Sequence, residues 1–303
     1  MMMSTVTISM ETIKILREET GAGVMDVKKA LADAEGDLQK AREILRQKGA
    51  ATAEKKAARV AAEGLIVARL SEDKRRAAIV EVNCETDFAA KNERFVAMVN
   101  AMGDASLTTT ATEVEGLMND NGQALQTMLT DTVGAIRENM KMRRFEQVAL
   151  ADGQPGLLHT YIHGGGKIGV IVALTAQKAE TTHSEAFQAL TKDIALHAAA
   201  YAPQYISRND IPGSVVEEET RIEMGKEDLA SKPEAIRAKI VEGRVSKILG
   251  AVVLLEQAFV KDPSKTVEAM LKEVGAALGD TLEVRTLVRY VLGEGVDKTQ
   301  QED

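Results

Sequence analysis

Residues 77–95, AAIVEVNCETDFAAKNERF, place a strand, a turn and the start of a helix in one short run. The apolar alternation in 78–82 predicts one face of the strand, and Asn92 can cap the helix that follows. Between these elements, Asp87 and Phe88 put an acidic residue beside a large aromatic one. Connecting segments run over the protein surface, where apolar bulk is least expected. The turn is therefore the first candidate for a functional site.

The same pattern recurs later in the chain. Three segments match three others: 64–66 with 156–158 at an offset of 92 residues, 77–82 with 168–173 at 91, and 92–95 with 184–187 at 92. In each copy two strands precede a capped amphipathic helix, which is typical of α+β folds with antiparallel sheets. The chain therefore predicts two duplicated α+β subdomains.

The first fifty residues predict three short helices. Ser9 can cap the first helix, and Gly21 and Gly23 end it. The second begins at about Val24 and ends at Gly36, and the third is capped by Asp37 and ends at Gly49. Polar caps and glycine stops are the usual ends of helices. A unit this small buries little surface, which favours a docking module or one supported by a neighbour. Residues 50–63 are predicted to form a helical linker.

An insertion interrupts the second copy. Helical patterns at about 214–230 and 234–255, with Pro233 starting the second and Ser231 as its cap, predict a protruding coiled-coil-like arm. The residues predicted to face each other are Val215, Val216, Ile222 and Leu229 on one helix and Ile236, Ile240, Val245 and Leu249 on the other. After the arm we expect a helix at 267–278, a strand at 282–291 and a loose polar tail from Glu294.

Composition excludes several classes of protein. A net charge of −8 argues against a general nucleic-acid or membrane-surface binder, which needs clustered cations. The single cysteine cannot form an internal disulfide, so a reducing compartment is expected. With no signal-type segment and no apolar run of about 18 residues, the expected location is the cytoplasm.

The run HGGGK at 163–167 invites comparison with a phosphate-binding loop. That loop requires Ser or Thr after its lysine and a helix beyond it, whereas Ile168 and a strand follow here. A glycine-rich hairpin turn that displays His163 and Lys167 is the better interpretation. His159 and His163 would lie on one side of the strand without a further ligand, so no metal site is predicted.

The remaining reactive residues do not assemble into a catalytic site. Cys84 continues the apolar strand face, which predicts a buried, inert thiol. The small basic patch Lys141, Arg143 and Arg144 is interpreted as a solvated helix end. No Ser/His/Asp arrangement or cofactor fingerprint is present. We therefore predict no catalytic residue, no cofactor and no enzymatic activity.

Two interpretations of Phe88 remain open on the residues alone. Phe88 lies seven residues before Phe95, so an early helix start would put both rings on one core face. Alternatively, Phe88 and Asp87 project outward as a probe for another molecule. Spacing alone favours the core-face interpretation, but the matching stretch of the second copy, 175–180, contains neither an aromatic residue nor an aspartate, which weakens it.

Taken together, the motifs resemble the bacterial translation elongation factor Ts family, the guanine-nucleotide exchange factors for elongation factor Tu. The matching segments are LREETGAGVMDVKKALADAEGDLQKAREILRQKG at 16–49, VEVNCETDFAAKN at 80–92, HGGGKIGV at 163–170, PSKTV at 263–267 and VLGEGV at 291–296. The resemblance covers essentially the whole chain. It implies an α+β fold whose first 55 residues form a ubiquitin-associated-like three-helix module and the start of the linker. It further implies subdomains at 56–151 and 152–293, the coiled-coil arm at about 209–255 and the tail at 294–303.

The resemblance also implies roles for particular residues. Thr86, Asp87, Phe88 and Ala89 occupy the segment that, in the family, intrudes near the magnesium and phosphates of GDP bound to elongation factor Tu. The family usually has valine at the position of Ala89. Two further sets are implied to bind the partner: Gly23, Val24 and Met25 at its nucleotide-binding domain, and His163 and Gly164 at its other end.

The implied partner is elongation factor Tu, both GDP-bound and nucleotide-free. No nucleic acid, membrane or cofactor is implied, and a homodimer and a 2:2 complex with the partner are both compatible with the resemblance. Two alternative functions are a small-molecule enzyme using a cleft between the repeats and a static scaffold. The enzyme requires a pocket with convergent titratable groups, whereas the scaffold would bind a partner without changing its nucleotide kinetics.

Overall fold

Three helices form the amino-terminal module in the computed structural model, which describes residues 8–297 without the side chains of 121–123. They are α1 Met10–Thr20, α2 Val24–Asp33 and α3 Leu38–Lys56. Ser9 caps α1 and Asp37 caps α3, as predicted. The predicted end of α3 at Gly49 is wrong, because α3 continues through Gly49 to Lys56. Only the first part of the expected helical linker is therefore helical.

The first subdomain has two strands, three helices and a returning strand. They are β1 Glu63–Leu70, β2 Arg76–Cys84, α4 Asp87–Ala90, α5 Glu93–Thr108, α6 Val114–Ile136 and β3 Met140–Ala149. The sheet order is β1-β2-β3, and both pairs are antiparallel. Helices α5 and α6 cover one face of this sheet, with Phe95, Met98 and Leu117 fully buried between the layers.

The second subdomain repeats this plan around an insertion. Its elements are β4 Gly156–His163, β5 Ile168–Thr175, α7 Glu185–Tyr201, α8 Gly213–Met224, α9 Glu234–Ala251, β6 Ala258–Phe259, β7 Asp262–Thr266, α10 Val267–Leu278 and β8 Glu283–Val291. The main sheet has the antiparallel order β4-β5-β8, equivalent to that of the first copy. Strands β6 and β7 form a separate small hairpin.

Strand register confirms the duplication. Gly64 pairs with Asn83 and Gly156 with Thr175, and both pairs correspond at an offset of 92 residues. Each central strand also carries a register shift, one after Glu81 and one after Ala173, again 92 residues apart. The predicted offset of 91 for the central strands is therefore wrong by one residue.

The two sheets pack face to face and share one core. Ile66, Ile79, Leu158 and Ile171 are among its buried members. Gly169 makes this approach feasible, since a Cβ atom there would lie 2.6 Å from Cγ2 of Ile66 and 2.7 Å from Cδ1 of Ile79. The molecule therefore has four layers, in the order helices, sheet, sheet and helices. The predicted α+β class is confirmed.

The arm is a helical hairpin with its own small core. Buried Leu229, Val241, Val245 and Leu249 form that core, with Val215, Val216 and Ile240 packed against it. The predicted inward positions of Ile222 and Ile236 are wrong, because these side chains are 45% and 50% exposed. Ser231 does not cap α9, which begins after Pro233 without a side-chain cap.

The hairpin of the arm ends earlier than its predicted limit at 255. Val253 and Leu254 are fully buried, and Leu254 belongs to the core of the second subdomain. Backbone hydrogen bonds join this segment to the residues after α7, including Leu254 N to Tyr205 O at 2.8 Å. Residues 252–255 are therefore part of the subdomain that carries the arm.

The basic patch has a different role from the predicted solvated helix end. Arg143 and Arg144 lie on strand β3, and both bind the fully buried carboxylate of Glu81, at 3.0 and 2.7 Å. Glu294 pairs with Arg144 at 3.5 Å, so the start of the predicted loose tail is fixed to the sheet. Residues 298–303 of that tail lie outside the described residues. In the part of the chain that is described, no helix is long and apolar enough to cross a membrane.

Candidate protein-interaction site

The candidate site is a short capped turn between β2 and α5. Thr86 caps α4 by accepting a hydrogen bond from Ala89 N at 3.1 Å, and Asn92 caps α5 by accepting one from Arg94 N at 3.0 Å. Each cap satisfies backbone N–H groups at the start of a helix, so α4 is a separate helical turn and not the beginning of α5. Phe88 lies between them, on the single helical turn of α4. We call residues 85–91 the Phe88 loop.

Phe88 points into solvent. Its side chain is 80% exposed, whereas Phe95 seven residues later is fully buried. The interpretation that puts both rings on one core face is therefore wrong, and the outward orientation is confirmed. Burying a phenylalanine side chain contributes about 1.5–3 kcal/mol. The free protein forgoes most of that stabilisation at this position.

Asp87 and Lys91 make the loop locally charged around the ring. Lys91 Nζ lies 2.7 Å from the Asp87 carboxylate and 5.9 Å from the centre of the Phe88 ring. The hydrogen bond from Lys91 lowers the pKa of Asp87 below its ordinary value, and the positive charges of Lys91 and Lys167 act in the same direction. Asp87 is therefore a carboxylate at neutral pH, half-exposed beside the ring.

Thr86 and Ala89 face inward. Thr86 donates to Glu138 through its backbone N at 2.9 Å and its hydroxyl at 2.7 Å, and its carbonyl accepts from the Cys84 thiol at 3.1 Å. Ala89 is buried in the core beneath the loop. In this conformation these two residues support the loop, and Asp87 and Phe88 form its outer surface.

The amino-terminal candidates lie at the start of α2, where Gly23 is the N-cap. Met25 is 75% exposed and Val24 is partly exposed. Asp26, next to them, pairs with both Lys48 of α3 and Arg137 after α6. The module is thus tied to the first subdomain beside its own exposed apolar residues.

The turn at 163–167 is the hairpin turn predicted from its glycines. Gly164, Gly165 and Gly166 all have positive φ, at 61°, 64° and 95°, which favours glycine at each position. His163 and Gly164 are exposed. Lys167 pairs with Glu63 at 2.7 Å. Because Glu63 is the strand partner of Cys84, this turn lies at the same end of the sheets as the Phe88 loop.

The groups with reactive chemistry are separated or already paired. Burial raises the pKa of Cys84 to about 12, helped by the negative charges of Glu138 and Glu63, so the thiol is not a nucleophile at neutral pH. A cavity of about 600 Å³ lies between α3 and α6. Its lining includes the ion pairs of Arg42 with Glu19 and Lys48 with Asp26. Within residues 8–297, no group of three or more His, Cys, Asp or Glu is placed to hold a metal ion.

The exposed ring on this anchored loop makes the loop a candidate protein-interaction site, because buried aromatic anchors carry much of the binding energy in interfaces. The family model described as "Elongation factor TS" matches residues 85–294. Relatives named elongation factor Ts from Nostoc punctiforme and Trichlorobacter lovleyi are each 40% identical, over 97% of this chain and 95% and 96% of their own length. A relative of the same name from Clostridium botulinum is 41% identical over 97% of this chain and 96% of its own. These matches define a translation elongation factor.

Within that class the chain belongs to the elongation factor Ts family. The resemblance of its motifs to this family is thereby confirmed. The residues singled out from the sequence lie in three segments, which are the Phe88 loop, the start of α2 and the turn at 163–167. Asp87 and Phe88 are outward and adjacent, with the exposed start of α2 and the turn at 163–167 connected to the same end of the molecule.

Proposed function

We propose that this elongation factor is a guanine-nucleotide exchange factor that binds elongation factor Tu in its GDP-bound and nucleotide-free states. It promotes GDP release, after which GTP can load. The observation that carries the proposal is the 80% exposed Phe88 ring beside the charged Asp87. Thr86 and Ala89 complete the loop from inside, and the action takes place in the cytoplasm.

The mechanism requires differential binding and no covalent chemistry. In nucleotide-binding proteins of this kind, GDP is held by a phosphate loop and a magnesium ion that bridges phosphate oxygens. The Phe88 ring enters this region and displaces the partner's side chains, and the Asp87 carboxylate disturbs the water shell of the ion. Magnesium demands near-ideal octahedral geometry, so a small displacement weakens its binding.

Thermodynamic linkage sets the energy that the loop must supply. If the exchange protein lowers the affinity of elongation factor Tu for nucleotide by some factor, nucleotide lowers the affinity of elongation factor Tu for the exchange protein by the same factor. A thousandfold loss corresponds to about 4 kcal/mol. Burial of the exposed Phe88 ring in the partner contributes about 1.5–3 kcal/mol of this. The disturbed ion contacts supply the remainder.

Other exposed parts of the chain enlarge the contact with elongation factor Tu. Gly23, Val24 and Met25 dock on its nucleotide-binding domain, and His163 and Gly164 contact its other end. These contacts come from three units of the chain, which are the three-helix module at 1–55 and the subdomains at 56–151 and 152–293. A homodimer and a 2:2 complex with the partner are both compatible with this proposal, and sedimentation of the mixture would distinguish them from a 1:1 complex.

A stopped-flow assay with fluorescent GDP on elongation factor Tu tests the proposal. The double variant Asp87→Ala with Phe88→Ala is expected to retain partner binding and to release GDP at least tenfold more slowly. Met128→Ala, which trims a different exposed apolar side chain on α6, is the control and should release GDP normally. Unchanged release in the double variant would reject the intruding loop. Binding of the unaltered protein without any acceleration would favour a static scaffold.

A further inference from the structure

We propose that Glu138 is a positioning residue that holds the Phe88 loop in the orientation required for nucleotide exchange. This inference rests on the proposed function and adds a residue that makes no contact with the partner. The carboxylate of Glu138 binds Thr86 at the start of the loop, whereas the Phe88 ring is exposed to solvent.

Glu138 follows immediately after α6. Arg137, which ends that helix, adopts the left-handed conformation with φ 64° and turns the chain toward β3. Glu138 Oε2 accepts a hydrogen bond from Thr86 N at 2.9 Å, and Oε1 accepts one from Thr86 Oγ1 at 2.7 Å. The same Thr86 hydroxyl accepts from Ala89 N. One carboxylate therefore fixes both the backbone at the start of the loop and the side chain that caps α4.

The flanking residues of the turn attach further parts of the molecule. Arg137 binds Asp26 of the amino-terminal module. Asn139 N donates to Glu85 at 2.5 Å, and Asn139 Nδ2 donates to the carbonyl of Arg59 at 2.6 Å. Three consecutive residues thus connect the module, the linker and the Phe88 loop. Their positions relative to one another depend on this turn.

The loop depends on an external anchor because its own structure is minimal. Helix α4 has four residues, and a single helical turn is unstable in isolation. The Phe88 ring contributes no core packing, so Ala89 and Ala90 alone are buried among the four. Without the carboxylate the loop would populate other conformations. Apparent affinity in the exchange reaction falls in proportion to the competent fraction.

The second copy contains the same anchor without the ring. Glu138 lies three residues before Lys141, the strand partner of Asn83, and Asp280 lies three residues before Glu283, the strand partner of Thr175. These pairs correspond in the duplicated sheets. Asp280 is therefore the counterpart of Glu138.

Asp280 binds its loop through the same kinds of group as Glu138, a backbone amide and a threonine hydroxyl, although Thr181 corresponds to Ala89 in the first copy and Asp280 also accepts from Gln177 N at 3.1 Å. Asp280 accepts from Lys178 N at 3.0 Å and from the Thr181 hydroxyl at 2.6 Å. Lys178 lies 92 residues after Thr86, so the two acids bind equivalent backbone amides. Glu180 occupies the position equivalent to Phe88. The anchor belongs to both copies, but only the first copy uses it to present an aromatic ring, so Asp280 offers a matched control.

The test compares Glu138→Ala with Asp280→Ala in the full chain. With fluorescent GDP on elongation factor Tu, Glu138→Ala should lower the release rate at subsaturating exchange factor by at least about tenfold, because the variant loses two hydrogen bonds to a charged group and with them most of the competent loop conformation. Asp280→Ala should release GDP within about twofold of the unaltered protein, although it loses an equivalent anchor. The isosteric Glu138→Gln keeps one acceptor oxygen and should give a release rate between those of the unaltered protein and Glu138→Ala. This variant still tests the inference if the alanine variant fails to fold.

A second readout does not depend on the partner. In the free protein, amide hydrogen exchange at Thr86 and Ala89 should accelerate in Glu138→Ala and Glu138→Gln and stay unchanged in Asp280→Ala. Unchanged amide exchange in the Glu138 variants, or equal slowing of GDP release by the Asp280 variant, would overturn the inference. If the Asp87 and Phe88 variants release GDP normally, the proposed function fails, and amide exchange still decides whether Glu138 holds the loop.

Discussion

Removing the carboxylate of Glu81 is expected to destabilise the protein strongly. Glu81 is fully buried on β2 and accepts hydrogen bonds from Arg143 at 3.0 Å, Arg144 at 2.7 Å, Asn83 at 3.1 Å and Gly293 N at 2.8 Å. These bonds join the first sheet to the chain after β8. Breaking a buried ion pair by deleting one partner costs about 3–5 kcal/mol.

The exposure of the two arginines places the expected loss at the lower end of this range. Their side chains are 22% and 31% exposed, so both can partly rehydrate once Glu81 is gone. We therefore expect Glu81→Ala to lower the free energy of unfolding by about 3 kcal/mol, measured by urea denaturation followed by circular dichroism. Glu218→Ala is the control, since Glu218 pairs with Arg221 on the exposed surface of the arm, where solvent screens the pair, and its loss should change stability far less than the loss of Glu81.

The pH dependence of stability, compared between the unaltered protein and Glu81→Gln, gives a second test of the same buried carboxylate. Burial by itself would raise the pKa of Glu81, but hydrogen bonds from Gly293 N, Asn83 and Arg144 outweigh it and hold the pKa below its ordinary value. A depressed pKa contributes stability above the unfolded pKa, and this is lost as pH falls through the folded pKa. Glu81→Gln should lack this acid-sensitive component. A loss below about 1 kcal/mol in Glu81→Ala, as for a surface pair, would refute the reasoning.

Two further predictions concern the thiol and the arm. Cys84 has a pKa raised to about 12, so in the folded protein at pH 8 it should react with a thiol reagent at least ~100-fold more slowly than free cysteine. In urea it should react at the normal rate. Fast labelling of the folded protein would contradict the burial of the thiol. Deleting 209–250 with a short glycine linker should leave one cooperative unfolding transition, because the arm has its own core. Extending that deletion through Leu254 should lower the midpoint further by opening the second subdomain, and equal midpoints for the two deletions would contradict this assignment.

The elements set by local chemistry could be predicted from the sequence. Asn92 and Ser184 cap equivalent helices through their own side chains, and the glycine-rich 163–167 forms the expected hairpin turn. The duplication was visible for the same reason, since each copy repeats these local signals. The one-residue error in the offset of the central strands arose because an apolar run carries no internal marker of register.

The errors involve residues whose environment is set by distant parts of the chain. Arg143 and Arg144 resemble a solvated basic patch until strand pairing brings them to Glu81, about 60 residues away. Ile222 and Ile236 have helical spacing, but the buried face of the arm is set by how α8 and α9 cross. A helical pattern does not show which of its apolar faces finds a partner.

The orientation of Phe88 depends on a break that spacing does not reveal. Spacing to Phe95 permits a continuous helix, but the extended backbone at Asn92 ends α4 and starts α5 between the two rings, and Glu138, 50 residues after Phe88, binds Thr86 at the start of the loop. Glu138 itself was missed. The signal that could have found it is an acidic residue in both copies, at 138 and 280, just before the returning strand.

The shared core of the two sheets makes the two halves of the chain depend on each other. Gly169 permits each sheet to cover the other, so a single copy standing alone would leave the face of Ile66 and Ile79 in water. Because one polypeptide builds the same plan twice, each copy can carry a different residue at an equivalent position without losing this core. Phe88 in the first copy and Glu180 in the second are such a pair, so only one end of the duplicated plan presents an aromatic ring.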